Sequence, residues 1–87
     1  MSIFYSNKFA RLFKKLPFDL RKKADLKIEI FKANNHDFSL NTHKLEGYNL
    51  WAFSIDKKIR VIYKYEDDNM VLIGIGDHDV YKNLEKF

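Results

Sequence analysis

Cysteine is absent from this 87-residue chain, so neither a disulfide framework nor a thiolate metal site can form. Long hydrophobic runs are also lacking. The longest apolar stretch, counting glycine, is residues 71–76, which is far too short to span a bilayer. The N-terminal MSIFYSNKF has polar residues where a secretory signal would be apolar. We therefore expect a soluble cytoplasmic protein without a membrane partner.

Proline and glycine are scarce, with one proline and three glycines, which argues against linkers and low-complexity segments. Apolar residues make up 46% of the chain and include eight Phe, five Tyr and one Trp. A chain of this size and composition suits one hydrophobic core. We expect a single domain over residues 1–87.

Positive charge is concentrated in the first third of the chain. Residues 1–35 contain nine Lys/Arg and three Asp/Glu, a net charge of +6, whereas residues 36–87 contain seven and nine, a net charge of −2. Such a basic segment suits an anionic partner such as nucleic acid or an acidic protein. Charge alone favours the simpler interpretation, an ordinary solvated helix face.

Two amphipathic helices are predicted in this basic segment. Apolar residues of the first recur at the i, i+3, i+4, i+7 spacing: Phe9, Leu12, Phe13 and Leu16. Asn7 is the expected N-cap of this helix. Pro17 suits the first turn of a second helix, which should end near residues 32–33. Because the connection is short, the two helices should form an antiparallel hairpin.

The rest of the chain follows the period of two that is typical of strands. A short strand over residues 2–5 precedes the helices, and four more are expected in THKLEGY, LWAFSI, KIRVIYKYE and NMVLIGIG. Turns at residues 56–58 and 66–69 suit antiparallel hairpins. The predicted fold is α+β, in the order β-α-α-β-β-β-β, with the N-terminal helical hairpin packed on one face of a small, mostly antiparallel sheet.

Arg60 lies in the middle of an otherwise apolar and aromatic strand pattern. If its apolar neighbours face the helices, its side chain points to the other face of the sheet. A charged side chain there is unfavourable unless it is solvated, paired or used to bind an anion. An ion pair with Glu46 or Asp56 and a phosphate site both remain open as explanations.

Two histidines and a tyrosine are expected near the same edge of the sheet. His43 begins a strand, and His78 follows the last long strand in LIGIGDHDVYK, three residues before Tyr81. With Arg60, this set suits cleavage of RNA by its own 2′-hydroxyl, which needs a base, an acid and cationic stabilisation of the phosphorane. Histidine serves as acid or base near neutrality, arginine donates bidentate hydrogen bonds to phosphate oxygens, and tyrosine stacks on unpaired bases.

The sequence offers little for a metal or a cofactor. Neither His-x-x-x-His nor a cysteine pair occurs, and Asp77-His78-Asp79 is too short a motif to indicate a metal site. The GIG sequence is not followed by a helix-opening pattern, so it does not resemble a phosphate-binding loop. We expect no metal and no cofactor.

An ordered series of strings resembles the RelE/ParE superfamily of bacterial toxins from type II toxin–antitoxin systems. The strings are FKKLP, HKLEG, LWAFSI, IRVIYKY and LIGIGDHDVYK, and the similarity covers about residues 9–82. In style the chain is most similar to RelE-like and YafQ-like mRNA interferases. The resemblance implies a cytoplasmic toxin that cuts mRNA in the ribosomal A site without a metal, and that a cognate antitoxin neutralises in a hetero-oligomer.

The resemblance also implies roles for individual residues. His43 resembles the base-side residue, Arg60 the arginine on the scissile phosphate, His78 the general acid of YafQ-like toxins, and Tyr81 the aromatic that orients the mRNA. Further RNA or ribosome contacts are expected from Lys44, Trp51, Lys14, Lys15, Lys22 and Lys23. The chain reproduces the lysine-rich arrangement of RelE only in part. Tyr81 follows His78 by three residues, whereas in YafQ the aromatic residue follows the histidine by four. The division of labour between His43 and His78 therefore stays open.

A second function is compatible with the same resemblance. A ParE-like toxin inhibits DNA gyrase by binding and needs no acid–base pair. The presence of His78 beside Tyr81 favours the nuclease, because a binding protein gains nothing obvious from that pair.

Overall fold

The computed structural model describes residues 2–77 and 79–82. The helices are α1 (Asn7–Lys14) and α2 (Phe18–Ala33). The strands are β1 (Ile3–Tyr5), β2 (His43–Leu45), β3 (Leu50–Ser54), β4 (Arg60–Glu66) and β5 (Asn69–Gly76). A short 3-10 turn (Phe38–Leu40) connects α2 to β2. The α+β architecture and the order of elements predicted from the sequence are confirmed.

The five strands form one sheet in the order β1-β5-β4-β3-β2. The pairs from β2 to β5 are antiparallel, and β1 runs parallel to β5. The turn between β4 and β5 is tight: Asp67 has a φ of 57°, a left-handed conformation that aspartate tolerates better than most residues. A register shift between Ile62 and Tyr63 interrupts the β4–β5 ladder, so the pairing at the Arg60 end is offset from that near the turn.

The N-cap of α1 is Ser6, so the prediction of Asn7 is wrong. Ser6 has an extended backbone, and its Oγ accepts a hydrogen bond from the Phe9 amide at 3.0 Å. Asn7 is already helical, which prevents it from capping the same helix. Pro17, expected in the first turn of the second helix, is instead the N-cap residue of α2, immediately before its first helical residue. Neither helix in the described residues is long and apolar enough to cross a membrane.

The larger apolar cluster lies between the helices and the sheet. Its buried members are Phe9, Ala24, Ile28, Phe31, Leu40, Phe53, Ile55, Ile59, Val61, Tyr63, Met70, Leu72 and Ile75. The Phe31 ring stacks on Phe53 with a centroid distance of 4.3 Å and meets Tyr63 edge-on at 4.8 Å. This cluster anchors the helical hairpin to one face of the sheet.

A second, smaller cluster occupies the opposite face, which we call the helix-free face. It contains Leu50, Ala52, Ile62 and Ile73, with Leu45, Val71, Val80 and Tyr81 partly buried against it. Since Ile62 lies between two residues of the larger cluster along β4, its side chain must point the other way. The helix-free face therefore combines an apolar area with the strand end that carries Arg60.

Candidate active site

Arg60 begins β4, and its side chain lies on the helix-free face, because the residues on either side of it belong to the larger cluster. Its cross-strand partners are Ser54 on β3 and Gly76 on β5. Directly opposed residues of antiparallel strands share a face. The cross-strand neighbours of Arg60 are therefore small on both strands. Together with Tyr81, whose hydroxyl lies near the guanidinium, these residues form what we call the Arg60 site: Arg60, Ser54, Gly76 and Tyr81.

The guanidinium of Arg60 is held by backbone carbonyls. Its Nη1 donates to the carbonyl of Asp56 at 2.6 Å and to that of Ile59 at 3.3 Å. The described residues contain no ion pair between Arg60 and either Glu46 or Asp56, so that explanation of the arginine is not supported. Nη2 and Nε take no part in these two bonds, and the guanidinium also lies within hydrogen-bonding reach of the Tyr81 hydroxyl. Guanidinium N–H groups are donors of the kind that bind phosphate oxygens.

The Asp56 carboxylate is engaged by its own loop. Its Oδ1 accepts hydrogen bonds from the amides of Lys58 and Ile59, both at 2.8 Å. The Ile59 amide, assisted by the Lys58 amide and by the nearby charges of Lys23 and Arg60, lowers the pKa of Asp56 below its ordinary value, although desolvation opposes this. The carboxylate is therefore ionised at neutral pH and acts as an acceptor within the loop.

Tyr81 joins the Arg60 site from the end of the described chain. The backbone turns back after β5, with Val80 N donating to Asp77 O at 2.9 Å. The Tyr81 ring packs against the smaller apolar cluster, and its hydroxyl lies within hydrogen-bonding reach of the Arg60 guanidinium. Burial raises the pKa of Tyr81 despite the opposing effect of the arginine. Its phenol is therefore neutral at physiological pH, and the predicted proximity of Arg60 and Tyr81 is present in the structure.

His43 lies on the helix-free face but does not touch Arg60. It pairs with Ala52, which pairs with Ile62, so the three side chains share a face. His43 is two strands away from Arg60 and two residues further along the sheet, which corresponds to a Cα separation of roughly 12 Å. The two side chains therefore have to reach toward each other to act on one substrate group.

The ring of His43 is oriented by a backbone carbonyl. Its Nδ1 lies 3.0 Å from the carbonyl oxygen of Asn41, a residue with a φ of 49°. Because a carbonyl only accepts, this bond requires the proton on Nδ1 of the neutral ring and leaves a lone pair on Nε2. The side chain is exposed, so Nε2 is accessible as a base.

His78, the residue predicted to act as general acid, lies outside the described residues. Its role remains a prediction from the sequence.

Lys44 and Trp51 lie on the other face of the sheet from Arg60. They pair with each other, and Trp51 pairs with Tyr63, which is fully buried in the larger cluster. The Trp51 ring also meets Tyr65 edge-on at 5.7 Å. An RNA contact made by Lys44 would therefore form a surface separate from the Arg60 site.

The four helix lysines predicted as RNA contacts, Lys14, Lys15, Lys22 and Lys23, are exposed. Lys22 Nζ lies 4.9 Å from the centroid of the Phe18 ring, which is 61% exposed. They lie on or next to the helices, which cover the face of the sheet opposite Arg60, and the charge of Lys23 acts on Asp56 in the loop that holds Arg60. Within the part of the chain that the structure describes, no hydrogen bond or ion pair joins these lysines to Arg60, Ser54 or Gly76.

The 56–59 loop is the part of the site that sequence reasoning missed. The sequence predicts a turn at residues 56–58 and offers Asp56 as a charge partner of Arg60, whereas the group in contact is the Asp56 carbonyl. The available signal was an aspartate three residues before Ile59 in a short hairpin connection, a spacing that favours carboxylate bonds to loop amides. In the described residues, no group of three or more His, Asp or Glu side chains is arranged to hold a metal.

No protein-family model matches this chain, and no curated protein matches it significantly. Solved structures do match. A chain of the RelB–RelE antitoxin–toxin complex from Methanococcus jannaschii has a TM-score of 0.75 at 18% identity, covering 93% of this chain and 96% of that one. YafQ from Escherichia coli BL21(DE3) has a TM-score of 0.75 at 16% identity, with coverages of 91% and 94%.

A third match is the E. coli DinJ–YafQ toxin–antitoxin complex, with a TM-score of 0.73 at 18% identity and coverages of 90% and 92%. The chain has the RelE-like toxin fold. The resemblance seen in the sequence strings is thereby confirmed for the fold. In this RelE-like fold, the helix-free face carries Arg60, Tyr81 and His43.

Proposed function

We propose that this chain is the toxin of a type II toxin–antitoxin system and that it cleaves mRNA on the ribosome without a metal. The observation that carries the proposal is the Arg60 site: an arginine held by two carbonyls, with small residues on both sides and a tyrosine against it. The RelE-like fold supports the toxin class, and the arrangement of Arg60 supports phosphate chemistry.

In the proposed reaction, Nε2 of His43 takes the proton from a ribose 2′-hydroxyl, and O2′ attacks the adjacent phosphorus. The P–O5′ bond breaks, leaving a 2′,3′-cyclic phosphate, and His78 donates a proton to the departing O5′. Arg60 binds the non-bridging oxygens and stabilises the negative charge of the phosphorane. Tyr81 stacks on an unpaired base beside the scissile bond.

The separation between His43 and Arg60 bears on why a ribosome would be needed. In the proposed reaction, His43 and Arg60 act on one phosphodiester, so both side chains have to converge on it from Cα positions roughly 12 Å apart. A free RNA strand loses conformational freedom when it is held in that one position. An mRNA already ordered in the A site avoids this entropic cost, which is a familiar source of rate enhancement. We therefore expect cleavage of ribosome-bound mRNA and little cleavage of free RNA.

The same proposal includes a cytoplasmic location and a cognate antitoxin bound in a hetero-oligomer. Two of the three matching structures named above are complexes of a toxin with its antitoxin, which supports such a partner. The net charge of +6 in residues 1–35 suits either an acidic antitoxin segment or ribosomal RNA on the helix surface. Contacts of the four helix lysines with RNA should weaken as salt increases.

The test is to add the purified protein to a reconstituted translation reaction and map mRNA 5′ ends by primer extension. Wild-type protein should produce new ends only when ribosomes are present. Arg60→Ala should abolish them because the phosphorane loses its cation. Lys57→Ala is the matched control, since it removes an exposed positive charge from the same hairpin and should leave cleavage intact.

Intact mRNA with the wild-type protein in every condition would overturn the nuclease proposal, and so would equal cleavage by Arg60→Ala. DNA breakage by gyrase in cells that continue translation would indicate the ParE-like function instead.

A further inference from the structure

The hairpin between β3 and β4 is tightly closed by hydrogen bonds. The Asp56 carboxylate accepts from the amides of Lys58 and Ile59 at 2.8 Å each. The Ile59 carbonyl accepts from the Ile55 amide at 2.9 Å and from the Asp56 amide at 3.4 Å. Ile55 and Ile59 are 4% and 8% exposed within the larger apolar cluster, so both ends of this loop are anchored in the core.

The same loop provides the two carbonyls that hold Arg60. Its Nη1 contacts the carbonyls of Asp56 and Ile59, and both carbonyl directions are set by the loop conformation. An arginine side chain has several rotatable bonds, and these contacts restrict them before any substrate arrives. A loop that relaxed would release the guanidinium from its position between Ser54 and Gly76.

We propose that Asp56 is a positioning residue: its carboxylate keeps the 56–59 loop in the conformation whose carbonyls direct Arg60 toward the scissile phosphate. This inference rests on the proposed function for its catalytic consequence, but the ordering of Arg60 is testable without any reaction. The carboxylate acts here through one oxygen that accepts two hydrogen bonds, so its geometry is required and its negative charge is not.

Three substitutions separate geometry from charge. Asp56→Asn keeps the accepting oxygen and removes the charge, Asp56→Glu keeps the charge and displaces the oxygens, and Asp56→Ala removes both. Asp37→Ala is the matched control. The Asp37 Oδ1 accepts from the Ser39 amide at 2.9 Å and the Ser39 hydroxyl at 2.7 Å, in a turn that makes no described contact with Arg60.

The first measurement is ¹⁵N NMR of the arginine Nε–Hε groups in the 87-residue protein. The chain has only three arginines, Arg11, Arg21 and Arg60, and the Arg60 signal is assigned from its loss in Arg60→Lys. The Arg60 Nε–Hε should be ordered in wild type, Asp56→Asn and Asp37→Ala. It should become mobile in Asp56→Ala and Asp56→Glu.

The second measurement is the rate of ribosome-dependent mRNA cleavage. Asp56→Ala and Asp56→Glu should lower kcat by about 10-fold or more with a smaller change in KM, because a misplaced catalytic cation loses transition-state stabilisation. Asp56→Asn and Asp37→Ala should stay within about 3-fold of wild type. Thermal unfolding of every variant identifies any that fails to fold, and the comparison of Asp56→Asn with Asp56→Glu stands if Asp56→Ala is lost.

An ordered Arg60 Nε–Hε group in Asp56→Glu or Asp56→Ala would overturn the proposal. It would also be overturned if Arg60 were as mobile in Asp56→Asn as in Asp56→Ala, because the effect would then depend on the charge of Asp56. If the wild-type protein does not cut mRNA at all, the proposed function fails. The NMR comparison then still decides whether Asp56 orders Arg60.

Discussion

Arg60 donates to two backbone carbonyls, and among the described residues it forms no ion pair with a carboxylate. The choice of carbonyl rather than carboxylate acceptors matters for function, because a direct ion pair would neutralise the positive charge that binds an anionic substrate. Carbonyl acceptors restrict the guanidinium while leaving its full positive charge available. Its cross-strand partners differ: Ser54 has a small side chain, and Val80 packs over Gly76, with its Cβ 3.6 Å from where a side chain at Gly76 would begin.

Tyr81 offers a test of what the aromatic side chain contributes at this site. Tyr81→Phe keeps the ring on the smaller apolar cluster and removes only the hydroxyl near Arg60, so cleavage should stay within about 3-fold of wild type if the ring acts by stacking. Tyr81→Ala should slow single-turnover cleavage on ribosomes by about 10-fold, since stacking on a base is worth about 1–3 kcal/mol. Equal losses in both variants would assign the function to the hydroxyl.

At the scale of elements, the junction between β1 and α1 consists of one residue, Ser6, which both caps the helix and bonds to the sheet. Ser6 caps the helix through its side chain, and its amide donates to the Leu72 carbonyl at 3.0 Å. The residue therefore ends β1 and starts α1 without an intervening loop. This short transition places α1 directly beside β5, the strand that leads to Tyr81.

The two adjacent polar residues at the start of α1 should respond differently to substitution. Ser6→Ala should lower the free energy of unfolding by about 1 kcal/mol, because the amide of Phe9 loses its acceptor. Asn7→Ala should be neutral or slightly stabilising, since Asn7 is a helical position and alanine is the better helix former. Urea denaturation followed by circular dichroism measures both. A larger loss for Asn7→Ala would contradict the assigned cap.

At the scale of the whole molecule, stability depends on the aromatic centre of the larger cluster. Phe31 is fully buried between Phe53 and Tyr63, and its truncation should cost about 3–5 kcal/mol. Phe38→Ala is the control, because that side chain is fully exposed and should change the free energy of unfolding by less than about 0.5 kcal/mol. Similar losses in the two variants, measured by denaturant unfolding, would contradict the packing described here.

Acid should destabilise the protein through Asp37 and Asp56. Hydrogen bonds from Ser39 lower the pKa of Asp37, and the amides of Ile59 and Lys58 lower that of Asp56. A carboxylate with a lowered pKa in the folded state stabilises the protein above its ordinary pKa of 3.8 and loses that contribution as the pH falls through the folded value. The free energy of unfolding should therefore decrease below about pH 4.

The double variant Asp37→Asn/Asp56→Asn is the comparison for this pH dependence. Its free energy of unfolding should decline less steeply with acid than that of the wild type. Identical acid profiles of the two proteins in urea titrations would show that other groups control the acid response.

The fold was predictable from the sequence because its signals are local. The apolar stripe of α1 and the alternation along β4 each follow from the geometry of a single element, and a chain of this length leaves few ways to combine them. The helix start was misplaced by one residue, because Ser6 and Asn7 are both good capping residues and only backbone conformation distinguishes them.

The sequence by itself determined the order of the elements and the face of the sheet on which Arg60 lies. Only the tertiary structure decided what surrounds it: the carbonyls of the 56–59 loop, the return of Tyr81, and the placement of Lys44 and Trp51 on the opposite face. The physical reason is strand register. A shift of one residue moves a side chain to the other face, and register depends on turns and bulges that involve pairs of distant segments.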